Sequence, residues 1–394
     1  MTDERPSDEA TCARGGWYPD FTTRPSAPAI WQTTAFDIDG LSQLDAVSSG
    51  REKGYIYTRD GNPNHEAFAH DVAVLERAEA GCVAASGMGA MTAALLGHVQ
   101  SGDHIVAARV LYGRTSQLLN HLHTAFGVDV TYVDAMQPED VRKAMRPTTK
   151  LCIVESISNP TMEVADLPRL VEAAGSVPLL VDSTFATPCL LRPIEHGAKL
   201  VFHSASKYLN GHGDVMLGVV VGSHETMRRV RGLASLYGVN SNPFECWLAS
   251  RGLRTLPLRM RQVSETALEI ARFLKAQSGI TRVDYPGLES HPSHEIARRL
   301  LPNGFGGMLA FVLPGGKPAV ETLFRALGHT IPFAPTLADA RTTVSYPAGT
   351  SHKFITAAER ATLGITDGLV RLSVGLESLA DLQRDLGAAL RSVG

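Results

Sequence analysis

Two stretches decide the fold: Val177–Asp182, VPLLVD, and Leu200–Lys207, LVFHSASK. In each, an apolar run leads into polar residues. Asp182 closes the first, and Ser204, Ser206 and Lys207 close the second. A short apolar run bounded by polar residues reads as a strand buried on both faces, as in parallel sheets. Ligands of open α/β sheets sit outside the carboxyl ends of such strands. The pattern therefore places a carboxylate and an amine on one edge of one sheet.

The alternation continues outward from these strands. HEAFAHDVAVLERAEA (65–80), MGAMTAALLGHV (88–99), TSQLLNHLHTAF (115–126), PEDVRKAM (138–145) and LPRLVEAAG (167–175) are helical in pattern. Between them GCVAASG, HIVAARVLY, VDVTYVD, KLCIVES and LGVVVGS read as strands. Strands separated by helices of about ten residues predict crossover units and a mostly parallel sheet covered on both faces. A long helical stretch follows, FECWLASRGLRTLPLRMRQVSETALEIARFLKAQ (244–277), with a bend or break at Pro257. GGMLAFVL, AVETLFRAL, VRLSVGL and the final helix ADLQRDLGAALRSV form a smaller C-terminal α/β domain. The expected organisation is an N-terminal arm over 1–60, a cofactor domain over 61–250 and a C-terminal domain over 251–394. The arm carries Trp17, Tyr18, Ile30, Trp31 and Phe36, an apolar content that suits docking on a neighbouring subunit.

Composition limits the function. The chain has 394 residues, 44% apolar and 20% charged, with a formal net charge of −3. That length suits two or three domains, and the charge offers no footprint for nucleic acid or an anionic membrane. No apolar run approaches a membrane span. The start, MTDERPSDEATCARGG, lacks the apolar core of a signal peptide, so a cytoplasmic location is expected. The five cysteines, Cys12, Cys82, Cys152, Cys189 and Cys246, form no CxxC pair and read as buried thiols. His203, His212 and Asp214 lack a tight ligand spacing, so no metal is expected.

Other polar residues join Asp182 and Lys207 at strand ends: Ser86 and Gly87 before a helix, Tyr112 and Gly113, and Glu155, Ser156 and Asn159. Each has an ordinary reading as a cap, a turn or a solvated surface group. Together they meet the four needs of pyridoxal 5′-phosphate. Lys207 supplies the amine for a Schiff base, and Asp182 keeps the pyridine nitrogen protonated. Ser86, Gly87 and Met88, with Ser204 and Ser206, offer a helix N-terminus and hydroxyls to the phosphate. Tyr112 covers the ring. A nicotinamide enzyme is disfavoured, because no GxGxxG follows the first strand.

Eight segments in order, YIYTRDGNP, SGMGAM, LYGRT, ESISNPT, VDSTFATP, HSASKYLNGHGD, RGLRTL and VRLSVGLE, make the chain similar to the Cys/Met-metabolism (trans-sulfuration) family of pyridoxal-phosphate enzymes. The resemblance implies fold type I, the aspartate aminotransferase-like class, in a homotetramer built from tight dimers. It implies that Tyr57 and Arg59 reach the phosphate of the neighbouring subunit, Arg59 by a charge-assisted fork. It implies that Arg371 takes the substrate α-carboxylate, with Asn159 and Ser156 nearby, and that Thr184 supports the ring beside Asp182. Departures fall at Ser183, Ser206, Arg114 after LYG, Pro335, and TLADART from Thr336 to Thr342, where Thr336 faces the substrate. The expected activity is elimination of the γ-substituent of a homoserine-, methionine- or homocysteine-type amino acid, giving a 2-oxo acid and ammonia. The alternative is γ-replacement by a thiol, as in cystathionine gamma-synthase or a homoserine-ester sulfhydrylase. A cofactor-binding protein without turnover is a third reading, opposed by the intact lysine, aspartate, tyrosine and arginine.

Overall fold

In a computed structural model, residue 23 and residues 26–353 and 355–393 are described. Cys12, Trp17 and Tyr18 lie outside them. The strands, in chain order, are β1 (Ala80–Ala84), β2 (His104–Ala108), β3 (Asp129–Val133), β4 (Thr149–Glu155), β5 (Leu179–Asp182), β6 (Leu200–Ser204), β7 (Gly218–Gly222), β8 (Arg282–Asp284), β9 (Met308–Val312), β10 (Thr343–Ser345) and β11 (Leu369–Ser373). The first seven form one sheet in the order β1-β7-β6-β5-β4-β2-β3. Only β7 runs against the rest. β1, β2 and β7 are buried along their whole length, as strands covered on both faces must be, while the edge strand β3 alone is largely open.

The parallel strands end on one edge, and this places the chemistry. Glu155 pairs in register with Asp182, and Asp182 with Phe202. Ser204, at the end of β6, pairs with Gly218 at the start of β7. Gly218 permits a close approach: a Cβ there would stand 2.4 Å from the Ser86 carbonyl oxygen and 2.7 Å from the Gly87 Cα. Only a bare backbone lets β7 pass beneath the turn that opens the helix Gly87–Leu96.

The second sheet, β10-β11-β9-β8, is antiparallel throughout. Its core runs from Ala267 to Ala389, and the core of the large sheet takes in residues from Phe68 to Ala338. The helix Leu256–Lys275 serves both, giving Met260 and Val263 to the first and Ile270 and Leu274 to the second. The predicted interruption near Pro257 takes the form of a break. One helix ends at Leu253, the next starts at Leu256, and Pro257 lies in its first turn, where no amide is required.

The part of the arm that is described lies on its own chain. Asn64 accepts the Trp31 amide at 2.8 Å and donates to the Ala29 carbonyl at 2.8 Å, while Trp247 Nε1 donates to the Pro28 carbonyl at 2.8 Å. A bridge joins Ala35 to Tyr57. Ile30, Trp31 and Leu41 nevertheless remain exposed, as do Met216, Leu236, Tyr237, Phe244 and Leu258. Among the described residues no helix is long and apolar enough to cross a membrane, and no group of three or more His, Cys, Asp or Glu is arranged to hold a metal ion. Cys82, Cys152, Cys189 and Cys246 are free thiols.

Candidate active site

Lys207 stands in the turn after β6. The turn is clamped from behind by Arg259, whose guanidinium donates to the Tyr208 carbonyl at 2.7 Å and the Gly252 carbonyl at 2.9 Å. The Lys207 amine donates to Thr336 Oγ1 at 3.0 Å. Burial, and then the positive charge of Arg371, lower its pKa to about 8. An amine with that value is partly unprotonated near neutral pH, as a nucleophile or proton acceptor must be.

Asp182 sits inside the protein at the end of β5. Its Oδ1 accepts two hydrogen bonds from Thr184, at 3.0 Å from the amide and 2.6 Å from the hydroxyl. Burial raises its proton affinity, and the Thr184 bonds oppose that by favouring the charged form. Thr184 Oγ1 also accepts the Ser204 amide at 2.9 Å, tying the ends of β5 and β6 together. Ser86 caps the helix Gly87–Leu96, accepting the Gly89 amide at 3.0 Å. A Cβ on Gly87 would lie 3.1 Å from Ser204 Oγ. Glycine therefore keeps a small cradle open between a helix N-terminus and a hydroxyl, a geometry that suits a phosphate.

The remaining parts come from loops and from the second sheet. Arg371, in the middle strand pair of the small sheet, is buried and donates to Asn159 Oδ1 at 2.8 Å. Its Nε is buried with no hydrogen-bond partner, so this edge of the fork is left to a ligand. Burial lowers its pKa to about 10, which leaves it charged at neutral pH. The Thr336–Thr342 segment is held at Ala338 and at Thr342. The Ala338 amide donates to Ser373 Oγ at 2.7 Å, and the Thr342 hydroxyl donates to Glu377 at 2.6 Å. Tyr112, 38% exposed, opens the helix Gly113–Phe126, and its amide donates to Glu155.

Not every expected residue meets at this place. Asp182, Thr184, Ser204 and Gly87 are joined by the contacts above, Ser86 caps the same helix, and Lys207 is tied to this edge by its amide, which donates to the Ser204 carbonyl at 3.1 Å. Ser206 ties its hydroxyl to Leu217, accepting that amide at 2.9 Å. Ser156 is fully buried, with its hydroxyl 3.2 Å from Ser183 Oγ, so it turns away from the opening. Arg114 is exposed and donates to Gln117 at 2.9 Å. Tyr57 and Arg59 stack on each other, the guanidinium carbon 4.9 Å from the ring centre, on the outer surface. Arg259 and His352 carried no expected role, and Glu155 none beyond its place at a strand end. His352 is buried beside Arg371, and burial followed by that charge lowers its pKa to about 4. Only Glu155 carried a signal, as a polar residue at a strand end; its register with Asp182 came from the structure. A cavity of about 320 Å³, lined by Glu155, Arg109, Asp134, Glu163, Arg282 and Asp284 among others, includes none of Lys207, Asp182 or Arg371.

A half-buried low-pKa lysine, a half-buried aspartate and a glycine-lined helix turn on one edge of a seven-stranded, mostly parallel sheet suit a pyridoxal-phosphate enzyme. The model of the Cys/Met metabolism PLP-dependent enzymes matches residues 9–391, and the chain belongs to that family. It is 42% identical over 374 residues to an L-methionine gamma-lyase of Porphyromonas gingivalis, covering 93% of each chain. It is 39% identical over 368 residues to an O-succinylhomoserine sulfhydrylase of Pseudomonas aeruginosa, covering 93% of this chain and 91% of that one. Among solved structures it resembles cystathionine gamma synthase from Xanthomonas oryzae pv. oryzae in complex with aminoacrylate and cysteine, at a TM-score of 0.89 and 35% identity over 99% of both chains. The fold is therefore that of the trans-sulfuration enzymes, and the cofactor is pyridoxal 5′-phosphate.

Proposed function

We propose that the chain eliminates the γ-substituent of a methionine-, homocysteine- or homoserine-type amino acid, releasing a 2-oxo acid and ammonia. The observation that carries this reading is the facing of Lys207 and Arg371: an amine with a pKa of about 8 beside a buried guanidinium with an unoccupied edge. Such a pair takes an amino acid by its carboxylate and leaves a base at its α-carbon. The similarity to a methionine γ-lyase supports elimination, and the similarity to a sulfhydrylase supports γ-replacement as the second reading.

In this reading Lys207 and Asp182 hold the cofactor at its aldehyde and its ring nitrogen, with Thr184 supporting Asp182. Ser86, Gly87, Met88, Ser204 and Ser206 surround its phosphate, and Tyr112 covers its face. When bound, the cofactor supplies an electron sink for negative charge formed at the α-carbon. Arg371, seated by Asn159, fixes the substrate carboxylate. The Lys207 amine then takes the α-proton, and Thr336 holds that amine on the side of the small sheet. Tyr112, at the opening, carries the second proton near the leaving group.

Tyr57 and Arg59 serve the phosphate of a neighbouring subunit, and the exposed apolar groups Met216, Leu236, Tyr237, Phe244 and Leu258 support a homotetramer of tight dimers. The location is cytoplasmic in this reading. Size-exclusion chromatography with light scattering checks the assembly.

The deciding experiment is a substrate panel: methionine, homocysteine, homoserine and its esters, each with and without a thiol, with 2-oxobutyrate as the readout. Release without a thiol from a thioether substrate supports elimination. Thioether formation with no 2-oxo acid overturns it in favour of replacement.

Two predictions arise here. Free amine attacks the aldehyde, so recombination of the apoprotein with cofactor should accelerate about tenfold per pH unit below pH 8 and level off above it. The lowered pKa sets the sign, since Lys207 loses its charge as pH rises through about 8. Stopped-flow absorbance reads the rate, and a midpoint near 10.5 contradicts the burial argument. Arg114, beside Tyr112, is assigned to a polar or anionic γ-substituent. Arg114→Ala should raise KM about tenfold for substrates with such a group and leave methionine unchanged. An unaltered profile across the panel removes the assignment.

A further inference from the structure

Glu155 closes β4 as the register partner of Asp182, so the two carboxyl groups lie side by side at the sheet edge. Its two oxygens are engaged by two different loops. Oε1 accepts the Tyr112 amide at 2.6 Å, and Oε2 accepts the Asn159 amide at 3.0 Å. The first loop carries the proton carrier assigned above. The second carries the side chain that holds Arg371 at 2.8 Å. A carboxyl group is a rigid planar fork, so its two bonds fix the spacing of whatever they hold. We propose that Glu155 is a positioning residue that brackets the Tyr112 loop and the Asn159–Arg371 arm, keeping the proton-carrying group and the carboxylate-binding group at one separation. This rests on the roles given to Tyr112 and Arg371 under the proposed function.

The charge at this place agrees with the bracket. Burial, and then the neighbouring Asp182, raise the proton affinity of Glu155, while the two amides and Arg371 oppose that rise. The two amides and Arg371 favour the charged form of Glu155, as the two Thr184 bonds do for Asp182, so the bonds that form the bracket also offset the cost of placing the two carboxyl groups side by side. Glutamine cannot replace it, because its NH₂ group would face one of the two amide donors.

The experiment uses the holoenzyme and Glu155→Gln, with norleucine, which has no γ-leaving group, as the binding probe. Three quantities are read: the norleucine Kd from the visible absorption of the bound cofactor, hydrogen exchange by mass spectrometry, and kcat on methionine. The expected result is a Kd raised about tenfold, faster exchange confined to the peptides containing Tyr112 and Asn159, and a kcat lowered on the order of 10²-fold. In Glu155→Gln/Tyr112→Phe, kcat at saturating substrate should fall no further than in Tyr112→Phe alone, because the Asn159–Arg371 side of the bracket is read in Kd and the Tyr112 side in kcat. Unchanged exchange at those two peptides, a Kd within about twofold of wild type, or losses that multiply with those of Tyr112→Phe overturns the proposal. Accelerated exchange across the whole chain also overturns it, as the sign of a general structural role. If the wild-type protein leaves methionine intact, the elimination reading fails, and the Kd and exchange still decide the bracket. If Glu155→Gln does not fold, Glu155→Asp is read by the same criteria.

Discussion

Lys207→Ala is expected to reduce turnover by at least about 10⁴-fold, since it removes both the covalent anchor and the base at the α-carbon. Lys207 is the lysine that donates to Thr336 and feels the charge of Arg371. Borohydride treatment of the wild-type holoenzyme followed by peptide mapping should label position 207, and the variant should carry no label. Added methylamine should restore a small part of the rate, because it replaces the amine without its tether. A variant that retains more than about one hundredth of the wild-type rate would falsify the assignment of Lys207.

Asp182→Asn is expected to cost on the order of 10²- to 10³-fold in kcat, the range given by about 3–5 kcal/mol for leaving a buried charge without its partner. The change keeps the shape of the side chain and leaves an oxygen for Thr184. It removes the charge that keeps a ring nitrogen protonated, so the loss falls on the chemical step more than on KM. Steady-state kinetics with the cofactor content measured in parallel checks this. A loss explained wholly by lower cofactor occupancy would reduce Asp182 to a binding role.

Much of this site was legible because parallel strands advertise their ends. The runs before Asp182 and Glu155 are apolar and each carboxylate falls where the run stops, while the run before Ser204 ends one residue earlier, at Phe202. The helix after Ser86 was equally plain, since a serine before a glycine-rich apolar segment is a cap signal. The reversed direction of β7 was not legible: LGVVVGS has the composition of a buried strand in either sense, and composition carries no direction. The contact of Ser156 with Ser183 was hidden for a related reason. Neighbouring residues at a strand end point to opposite sides, so Glu155 and Ser156 do not share one environment. The bond from Lys207 to Thr336 joins positions 129 residues apart, and no local pattern reports such a contact. Arg259 was hidden in the same way, as an arginine of ordinary helical pattern that the fold turns inward onto the Tyr208 carbonyl.

Asp182 and Lys207 belong to the large sheet, whereas Arg371 and Thr336 belong to the small one or to its loops, with the helix Leu256–Lys275 common to both cores. An amino acid gripped by both sets would thus be a removable cross-link between two cores that share one helix. Saturating the protein with an unreactive analogue should stiffen their junction and raise the melting temperature in proportion to the logarithm of its concentration over Kd. Resistance to heat then becomes a way to rank ligands without watching any bond break.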